Sequence, residues 1–267
     1  MPAPEFLPTR GCGRVNNNSD ILTQMALKHG TDKAHHGFTR HYNTVFCNAR
    51  FDVLRVLEVG VFGGASIKMW HEYFPNATVF GVDNFACGLP SELKSNKLRE
   101  KGGNRGCLSK DQADAGRKFR DAVNRGEFGP RIRIISADQS DREEMRSVVR
   151  ELSTVGAFDI VIEDGSHNNA DQQMNLALLF PLLRPGGVYA IEDIHSSWQQ
   201  KYDEPPGGNK TTWRMIEHFR ATGQIKSKHM HADEIAYLER WIGWAKSQVT
   251  GGFRTDQTCL VSKRLVA

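Results

Sequence analysis

The stretch LRVLEVGVFGGAS, residues 54–66, decides the fold. It begins as an apolar strand over 54–59 and continues through a glycine-rich turn into a helix, which is predicted to start at Ala65 or Ser66 and to end before Pro75. Glycines let the backbone approach a ligand closely, and a helix N-terminus offers free N–H groups to anionic atoms. This unit is therefore typical of an α/β sheet that binds a nucleoside at its strand ends.

The alternation of strand and helix continues along the chain. Further apolar runs predict strands over 78–83, 132–137, 158–163 and 187–192. Helical patterns between and after them cover 112–124, 142–153, 169–183, 211–221 and 232–245. Strands that alternate with helices need crossover connections, so the sequence predicts an α/β fold with a Rossmann-like, doubly wound, mainly parallel sheet. We expect an antiparallel hairpin of 249–254 with 258–263 to close it.

The N-terminal part of the chain has a different composition. Residues 1–19 are rich in Pro and Asn and predict a flexible tail, which leaves a single domain over 20–267. A helix is predicted to start at Asp20, which can cap it, and to run up to Gly30. The following stretch GTDKAHHGFTRHY, residues 30–42, is so dense in polar residues that we expect no core element there.

Composition excludes several classes of protein. The chain has 267 residues, 39% of them hydrophobic, and a formal net charge of +4, which is too small for a dedicated nucleic-acid binder. We therefore expect no nucleic-acid partner. No signal-peptide pattern and no apolar run long enough for a membrane span are present, so we also expect no membrane partner. Five cysteines without a CxxC pair argue against a disulfide framework and a thiolate zinc site, which favours a cytoplasmic location.

The positive charge is concentrated in one segment. Residues 86–110 hold six cations and two anions, so their sum equals the net charge of the whole chain. They belong to a basic insertion, 86–130, that is longer than ordinary loops; such loops are often lids or binding loops. We interpret 86–110 either as a solvated loop or as a lid that attracts an anionic acceptor such as a nucleotide-linked sugar.

Two acids at strand ends predict the cofactor. Glu58 ends the first strand, and Asp83 ends the second, where an acid typically accepts hydrogen bonds from ribose hydroxyls. The glycines fall as GxxGG and lack the dinucleotide spacing GxGxxG, which disfavours a nicotinamide-dependent oxidoreductase. Glu58 suits a cationic group such as the amino group of S-adenosylmethionine. The alternative is a glycine turn that serves only strand–helix packing.

Three more carboxylates follow the fourth and fifth strands. Asp164 comes directly after the fourth strand, and Glu192 and Asp193 end the fifth. Neighbouring strands lie about 4.8 Å apart, so these side chains would meet at one edge of the sheet and repel each other without a counter-charge. Oxygen ligands favour Mg²⁺, with Mn²⁺ or Ca²⁺ as substitutes. His167 lies close enough to accept the proton of a hydroxyl that the cation acidifies, although a loop histidine that caps the next helix is the alternative.

These segments together resemble a known family. LEVGVFGGAS, GVD, IEDGSH, PGGVYAIED and HGTDK are similar to the metal-dependent sugar O-methyltransferases of antibiotic biosynthesis, of the mycinamicin and rhamnosyl O-methyltransferase kind. The resemblance covers about residues 29–197. It implies a class I methyltransferase fold, S-adenosylmethionine as methyl donor, His167 as general base, and Mg²⁺ held by Asp164, Glu192 and Asp193.

The resemblance also implies cofactor contacts and a substrate class. The segment 20–50 would cover the cofactor, and the residues that would contact it are Thr31, Lys33, Glu58, Gly60, Ser66, Asp83, Asp138, Gln139 and Asp164. The acceptor would be a sugar hydroxyl of a glycosylated natural product or of a nucleotide sugar, and the enzyme a homo-oligomer.

Three other interpretations stay open at this point. A catechol-type metal-dependent O-methyltransferase would act on a small aromatic, and in such enzymes a lysine commonly acts near the metal, where this sequence offers His167. A cephalosporin-hydroxylase-like relative would share similar carboxylates. A non-catalytic module would use the basic insertion to bind an anionic partner.

Overall fold

The computed structural model of the protein describes residues 20–85, 110–249 and 257–265. The predicted tail over 1–19 and most of the basic stretch, 86–109, lie outside these described residues. No helix in the described ranges is long and apolar enough to cross a membrane.

One seven-stranded sheet organises the described chain, with the strand order β3-β2-β1-β4-β5-β7-β6. The strands are β1 (Arg55–Val59), β2 (Thr78–Asp83), β3 (Ile132–Ser136), β4 (Phe158–Glu163), β5 (Leu183–Ile191), β6 (Ile242–Val249) and β7 (Gln257–Lys263). Strands β1 to β5 are parallel, and β7 runs antiparallel to both β5 and β6. The predicted doubly wound sheet with a closing antiparallel hairpin is confirmed, and it has the strand arrangement of the class I methyltransferase fold.

Eight α-helices accompany the strands in the described ranges. They are α1 (Ile21–His29), α2 (Phe38–Phe46), α3 (Ala65–Tyr73), α4 (Lys110–Asn124), α5 (Arg142–Ser153), α6 (Asn169–Leu179), α7 (Thr212–Thr222) and α8 (Ala232–Trp241). Short 3-10 turns lie at Asp32–Ala34, Cys47–Ala49, Phe180–Leu182 and Ile194–Trp198. The predicted cap of α1 is present, because the Asp20 side chain accepts from the Thr23 backbone N–H.

The core forms two layers, one on each face of the sheet. Alternate side chains of a strand point to opposite faces, so Val56 and Leu57 of β1 belong to different layers. One layer packs β1 against α1 to α4, and the other packs it against α5 to α8. This double cover leaves the carboxyl ends of the parallel strands as the edge at which polar side chains collect.

The polar stretch 30–42 was wrongly expected to lie outside the core. It forms a 3-10 turn and the first half of α2, and Lys33, Phe38 and Tyr42 are all buried. Its polar groups find buried partners: the hydroxyls of Thr39 and Thr23 lie 2.7 Å apart. In this segment the polar residues pack inside the protein, around the buried charge of Lys33.

The predicted border between the last helix and the closing hairpin was also wrong. Helix α8 ends at Trp241, and residues 242–245 belong to β6 rather than to a helix that reaches residue 245. The first strand of the hairpin is 242–249 instead of 249–254, and residues 250–256 lie outside the described ranges. The apolar spacing of this region fits both structures, and pairing with β7 selects the strand.

Two smaller predictions need correction. The helix predicted over 169–183 ends at Leu179 and continues as a 3-10 turn that contains Pro181, so β5 already begins at Leu183. The cysteine count argued against disulfides, but Cys47 is disulfide-bonded. Cys259 is a buried free thiol.

Candidate active site

The glycine-rich turn brings the end of β1 against the end of β4. Gly60 has a φ of +97°, and a Cβ atom there would lie 2.0 Å from the backbone oxygen of Asp164. Gly64 has a φ of +79°, and its Cβ would fall 2.4 Å from the Phe119 ring of α4. Only glycine fits either position, so the turn has a packing role in addition to any contact with a ligand.

Asp83 lies at the end of β2, beside this turn, as predicted. One carboxylate oxygen accepts from the backbone N–H groups of Val61 and Phe62, both at 2.9 Å, and the other accepts from Phe85 at 2.8 Å. Asp83 therefore holds the turn in place. A carboxylate has about four lone-pair sites, which leaves capacity for a further donor such as a ribose hydroxyl.

Glu58, Ser66 and Lys33 meet below the turn. The Ser66 hydroxyl donates to Glu58 at 2.8 Å, and the Lys33 ammonium nitrogen lies 3.1 Å from the other oxygen of Glu58. All three side chains are buried. Thr31 accepts from the backbone N–H of Lys33 and so caps the 3-10 turn that presents this lysine.

Lys33 joins the ends of three strands. Its Nζ atom lies 2.5 Å from Asp164 and 2.7 Å from Glu192, in addition to its contact with Glu58. The side chain is only 1% exposed. Burial by itself would lower the pKa of Lys33, but the attraction of the three carboxylates outweighs it and holds the pKa well above the ordinary value. Lys33 is therefore a permanently charged, buried cation.

Asp164, His167 and Asp193 form a second cluster at the same edge. Each offers one ligand atom, and these atoms all lie within 4.8 Å of one another. His167 Nε2 is 3.5 Å from Asp193, and His195 lies 3.2 Å from the other oxygen of Asp193. His167 and Asp193 have φ values of +59° and +50°, a strained conformation for residues other than glycine that is common at functional sites.

Charge in this second cluster is set by burial and by neighbouring groups. Burial lowers the pKa of His167, although the nearby Asp193 opposes the shift, so the imidazole is neutral at neutral pH. Burial would raise the pKa of Asp193, but its contacts with His195 and His167 prevail and lower it to about 2. A neutral base thus lies beside a carboxylate that stays ionised.

Glu192, the third predicted metal ligand, has different partners. Its two oxygens are taken by Lys33 and by the hydroxyl of Tyr42, which donates at 2.7 Å. Burial raises the pKa of Glu192 to about 7, and Lys33 opposes that rise. The structure therefore brings two of the three predicted ligands together with His167 and holds Glu192 beside them.

The residues present fit a hard divalent cation. The cluster offers two carboxylates and one imidazole, and oxygen-rich donor sets are what Mg²⁺ prefers. One buried polar atom of this cluster, His167 Nδ1, has no hydrogen-bond partner within the described part of the chain. Buried polar atoms are normally satisfied, so this nitrogen is consistent with a ligand at the cluster.

The two predicted cofactor residues after β3 have different surroundings. Asp138 accepts from the backbone and the hydroxyl of Ser140, at 2.8 and 2.7 Å, within its own loop. The Gln139 side chain lies against Gly165, where a Cβ atom would fall 1.7 Å from its oxygen. Gln139 is thus the one that reaches the loop between Asp164 and His167.

Sequence reasoning missed Tyr42, Asn169 and Tyr202. Asn169 is fully buried and connects the loop after β4 to Ser197 and Asp203. The ring of Tyr202 lies 6.5 Å from the ring of His167 in an edge-to-face arrangement. No local pattern marks any of the three, because each acts through residues that are distant in the chain.

Comparison with known proteins gives the family. The model of a methyltransferase domain family matches residues 57–194. The chain is 34% identical, over 72% of its length, to an L-olivosyl-oleandolide 3-O-methyltransferase of Streptomyces antibioticus, of which it covers 42%. It is 32% identical, over 70% of its length, to a mycinamicin VI 2''-O-methyltransferase of Micromonospora griseorubida, of which it covers 39%. The chain thus spans less than half the length of these curated relatives.

A solved structure agrees with this result. MycE methyltransferase from the mycinamycin biosynthetic pathway, in complex with Mg and SAH, matches 91% of this chain and 55% of its own chain with a TM-score of 0.61 and 26% identity. The family match includes the glycine turn, Asp164, His167 and Asp193 and extends over just over half of the 267 residues. The chain therefore belongs to the methyltransferase domain family.

Proposed function

We propose that the chain is an S-adenosylmethionine- and Mg²⁺-dependent O-methyltransferase that acts on a sugar hydroxyl of a glycosylated natural product or a nucleotide sugar. The observation that carries this proposal is the convergence of Asp164, His167 and Asp193 beside the glycine turn. The names of the sugar O-methyltransferase relatives support the acceptor class, and the Mg and SAH bound to MycE support the two cofactors.

The cofactor would lie over the glycine turn. Glu58 would accept from the amino group of its methionine part, and Asp83 from its ribose. The other residues proposed to contact it are Thr31, Lys33, Gly60, Ser66, Asp138, Gln139 and Asp164. This placement brings the sulfonium group to the strand edge at which His167 lies.

Asp164, Glu192 and Asp193 are the residues that would hold Mg²⁺. Bound there, the cation would supply positive charge that lowers the pKa of an acceptor hydroxyl. Asp164 and Asp193 already lie within one cluster, and Glu192 precedes Asp193 directly in the chain.

His167 is the group that would take the acceptor proton. Burial keeps its imidazole neutral, and the ionised Asp193 beside it would stabilise the imidazolium that forms. In the proposed transfer the acceptor hydroxyl oxygen would bond to the methyl carbon, the carbon–sulfur bond would break with its electron pair left on sulfur, and His167 would hold the proton. His167 is therefore the proposed general base.

Replacement of this base tests the proposal. We expect His167→Ala to lower kcat for methyl transfer to a deoxysugar glycoside by about 10² to 10⁴, the usual contribution of a general base. The matched control is His71→Ala on α3, because His71 is also partly buried and its pKa is also lowered. An unchanged kcat in His167→Ala, measured by mass spectrometry of the product, would show that His167 is not the general base.

One observation favours the catechol-type alternative. Lys33 lies against Asp164 and Glu192, and a lysine near the metal is a common feature of that class. A glycoside and a catechol assayed side by side separate the two, since we expect methylation of the glycoside only. The assay should include a nucleotide sugar, because either acceptor fits the proposal. Homo-oligomer formation and a cytoplasmic location stay predictions.

A further inference from the structure

We propose that Lys33 is a built-in counter-ion of the active-site carboxylates and that a divalent cation competes with its ammonium group for Asp164 and Glu192. This inference rests on the proposed function only in requiring that a divalent cation binds at this edge. It gives Lys33 a role in setting the affinity for the cation, beyond a contact with the methyl donor.

Three carboxylates surround the buried ammonium nitrogen of Lys33. Glu58, Asp164 and Glu192 all lie within 3.1 Å of Lys33 Nζ. The ammonium group donates to Asp164 and Glu192 and forms an ion pair with Glu58. Carboxylates buried side by side without a cation would repel each other and lose their hydration. Lys33 offsets this cost when no other cation is bound.

Asp164 belongs both to the carboxylates around Lys33 and to the cluster with His167 and Asp193. Its Oδ2 atom contacts Lys33, and the same side chain lies within ligand distance of His167 and Asp193. Two cations that share one carboxylate lie a few ångströms apart, and their repulsion is stronger in a partly buried site than in bulk water. A divalent cation at Asp164 therefore weakens the ion pair between Lys33 and Asp164, and Lys33 in turn lowers the affinity of Asp164 for the cation.

Glu192 is also shared with Lys33. Its two oxygens accept from Lys33 and Tyr42, so a divalent cation that Glu192 holds together with Asp164 and Asp193 would lie close to the positive charge of Lys33. Both partners come from the segment 31–46, Lys33 from the 3-10 turn and Tyr42 from α2. Cation binding is thereby linked to the position of a segment that is remote in sequence from every carboxylate in the site.

Calorimetric titration with MgCl₂ at about pH 8 tests the competition without any turnover. We expect Lys33→Met to bind Mg²⁺ at least about tenfold more tightly than the wild-type chain, because a competing charge is removed. Lys33→Arg keeps the charge and should show no such gain. The matched control is Lys28→Met, since Lys28 is 62% exposed and pairs with Glu72 away from the site, and its affinity should equal that of the wild type.

The outcomes separate this inference from the proposed function. Equal or weaker Mg²⁺ binding by Lys33→Met would overturn the competition and leave the metal-dependent reaction intact. Absence of Mg²⁺ binding in both the wild type and the variant would overturn both. Should Lys33→Met fail to fold, Lys33→Gln retains a hydrogen-bond donor without the charge, and the same tightening is expected of it.

Discussion

Glu163, next to the proposed ligand Asp164, shows how burial can set a charge state. Its side chain is fully buried at the end of β4. Burial, assisted by the charge of Asp171, raises the pKa of Glu163 to about 8. Asp193, at the end of the neighbouring strand, has a pKa of about 2 because histidines surround it.

This shift predicts a pH dependence of stability. The unfolded chain loses the Glu163 proton above about pH 4.5, whereas the folded chain keeps it up to about pH 8, so the free energy of unfolding falls between these values. Glu163→Gln removes this loss, and we expect it to be more stable than the wild type at about pH 8 by up to about 4 kcal/mol.

Urea unfolding at about pH 5 and about pH 8 measures the effect. The gain of Glu163→Gln should grow between the two values, whereas the exposed Glu127→Gln should show no such growth. A difference between Glu163→Gln and the wild type that does not change with pH would refute the raised pKa.

Residues of the site differ in how far the sequence reveals them. Asp164, His167 and Asp193 lie within four residues of the ends of β4 and β5, so their meeting at one edge could be predicted from the pattern of strands. Tyr42 could not, because its partner Glu192 lies 150 residues further along the chain. Only the family resemblance marked Lys33 as a site residue, because a lysine in a polar stretch belongs to no periodic pattern that indicates burial.

At the scale of elements, three segments meet at one buried asparagine. Asn169 accepts from the Ser197 hydroxyl at 3.0 Å and from the Thr212 backbone at 2.8 Å, and it donates to Asp203 at 3.1 Å. Asp203 in turn accepts from the backbone N–H groups of Asn169 and Ala170, both at 2.8 Å. The loop after β4, the 3-10 turn after β5 and the start of α7 are thereby fixed relative to one another.

Asp203 therefore acts as the N-terminal cap of α6, supplied from another segment. We expect Asp203→Ala to lower the free energy of unfolding by about 1 kcal/mol, as the loss of other helix caps does. It should also lower the rate of methyl transfer, because α6 begins two residues after His167.

Asp141→Ala is the matched control, since Asp141 caps α5 through the backbone of Glu143 and Glu144. Thermal unfolding and initial rates should show a similar loss of stability in both variants and a slower reaction only in Asp203→Ala. The positioning role is wrong if the two variants transfer methyl groups at the same rate.

Element boundaries show where local pattern is insufficient. The bounds of β4 and α5 could be predicted from residue patterns alone, because apolar runs and an Asp cap mark them. Residues 242–245 could not, because their apolar spacing fits a helix as well as a strand. Pairing of Ile242 with Lys263 and of Ala245 with Val261 stabilises the strand. This pairing joins residues about 20 positions apart, so the local sequence does not reveal it.

At the scale of the whole molecule, the site lies where the strand order reverses. Strands β1 and β4 are neighbours at the centre of the sheet, and the chain leaves β1 in one direction and β4 in the other. Ligands of open α/β sheets bind in the crevice at such a point. The glycine turn after β1 and the Asp164 loop after β4 lie at its two sides, so the fold brings the proposed cofactor site and the proposed base His167 to the same crevice.

We propose that this chain transfers a methyl group to a sugar hydroxyl at a cation-dependent site. Mass spectrometry of a deoxysugar glycoside, incubated with the full chain and S-adenosylmethionine, tests this in three samples: with Mg²⁺, with excess EDTA, and with EDTA followed by Mg²⁺. We predict a mass gain of one methyl group with Mg²⁺, its loss with EDTA, and its return when Mg²⁺ is restored. An equal amount of methylated product in the EDTA and Mg²⁺ samples would show that the reaction does not depend on a cation.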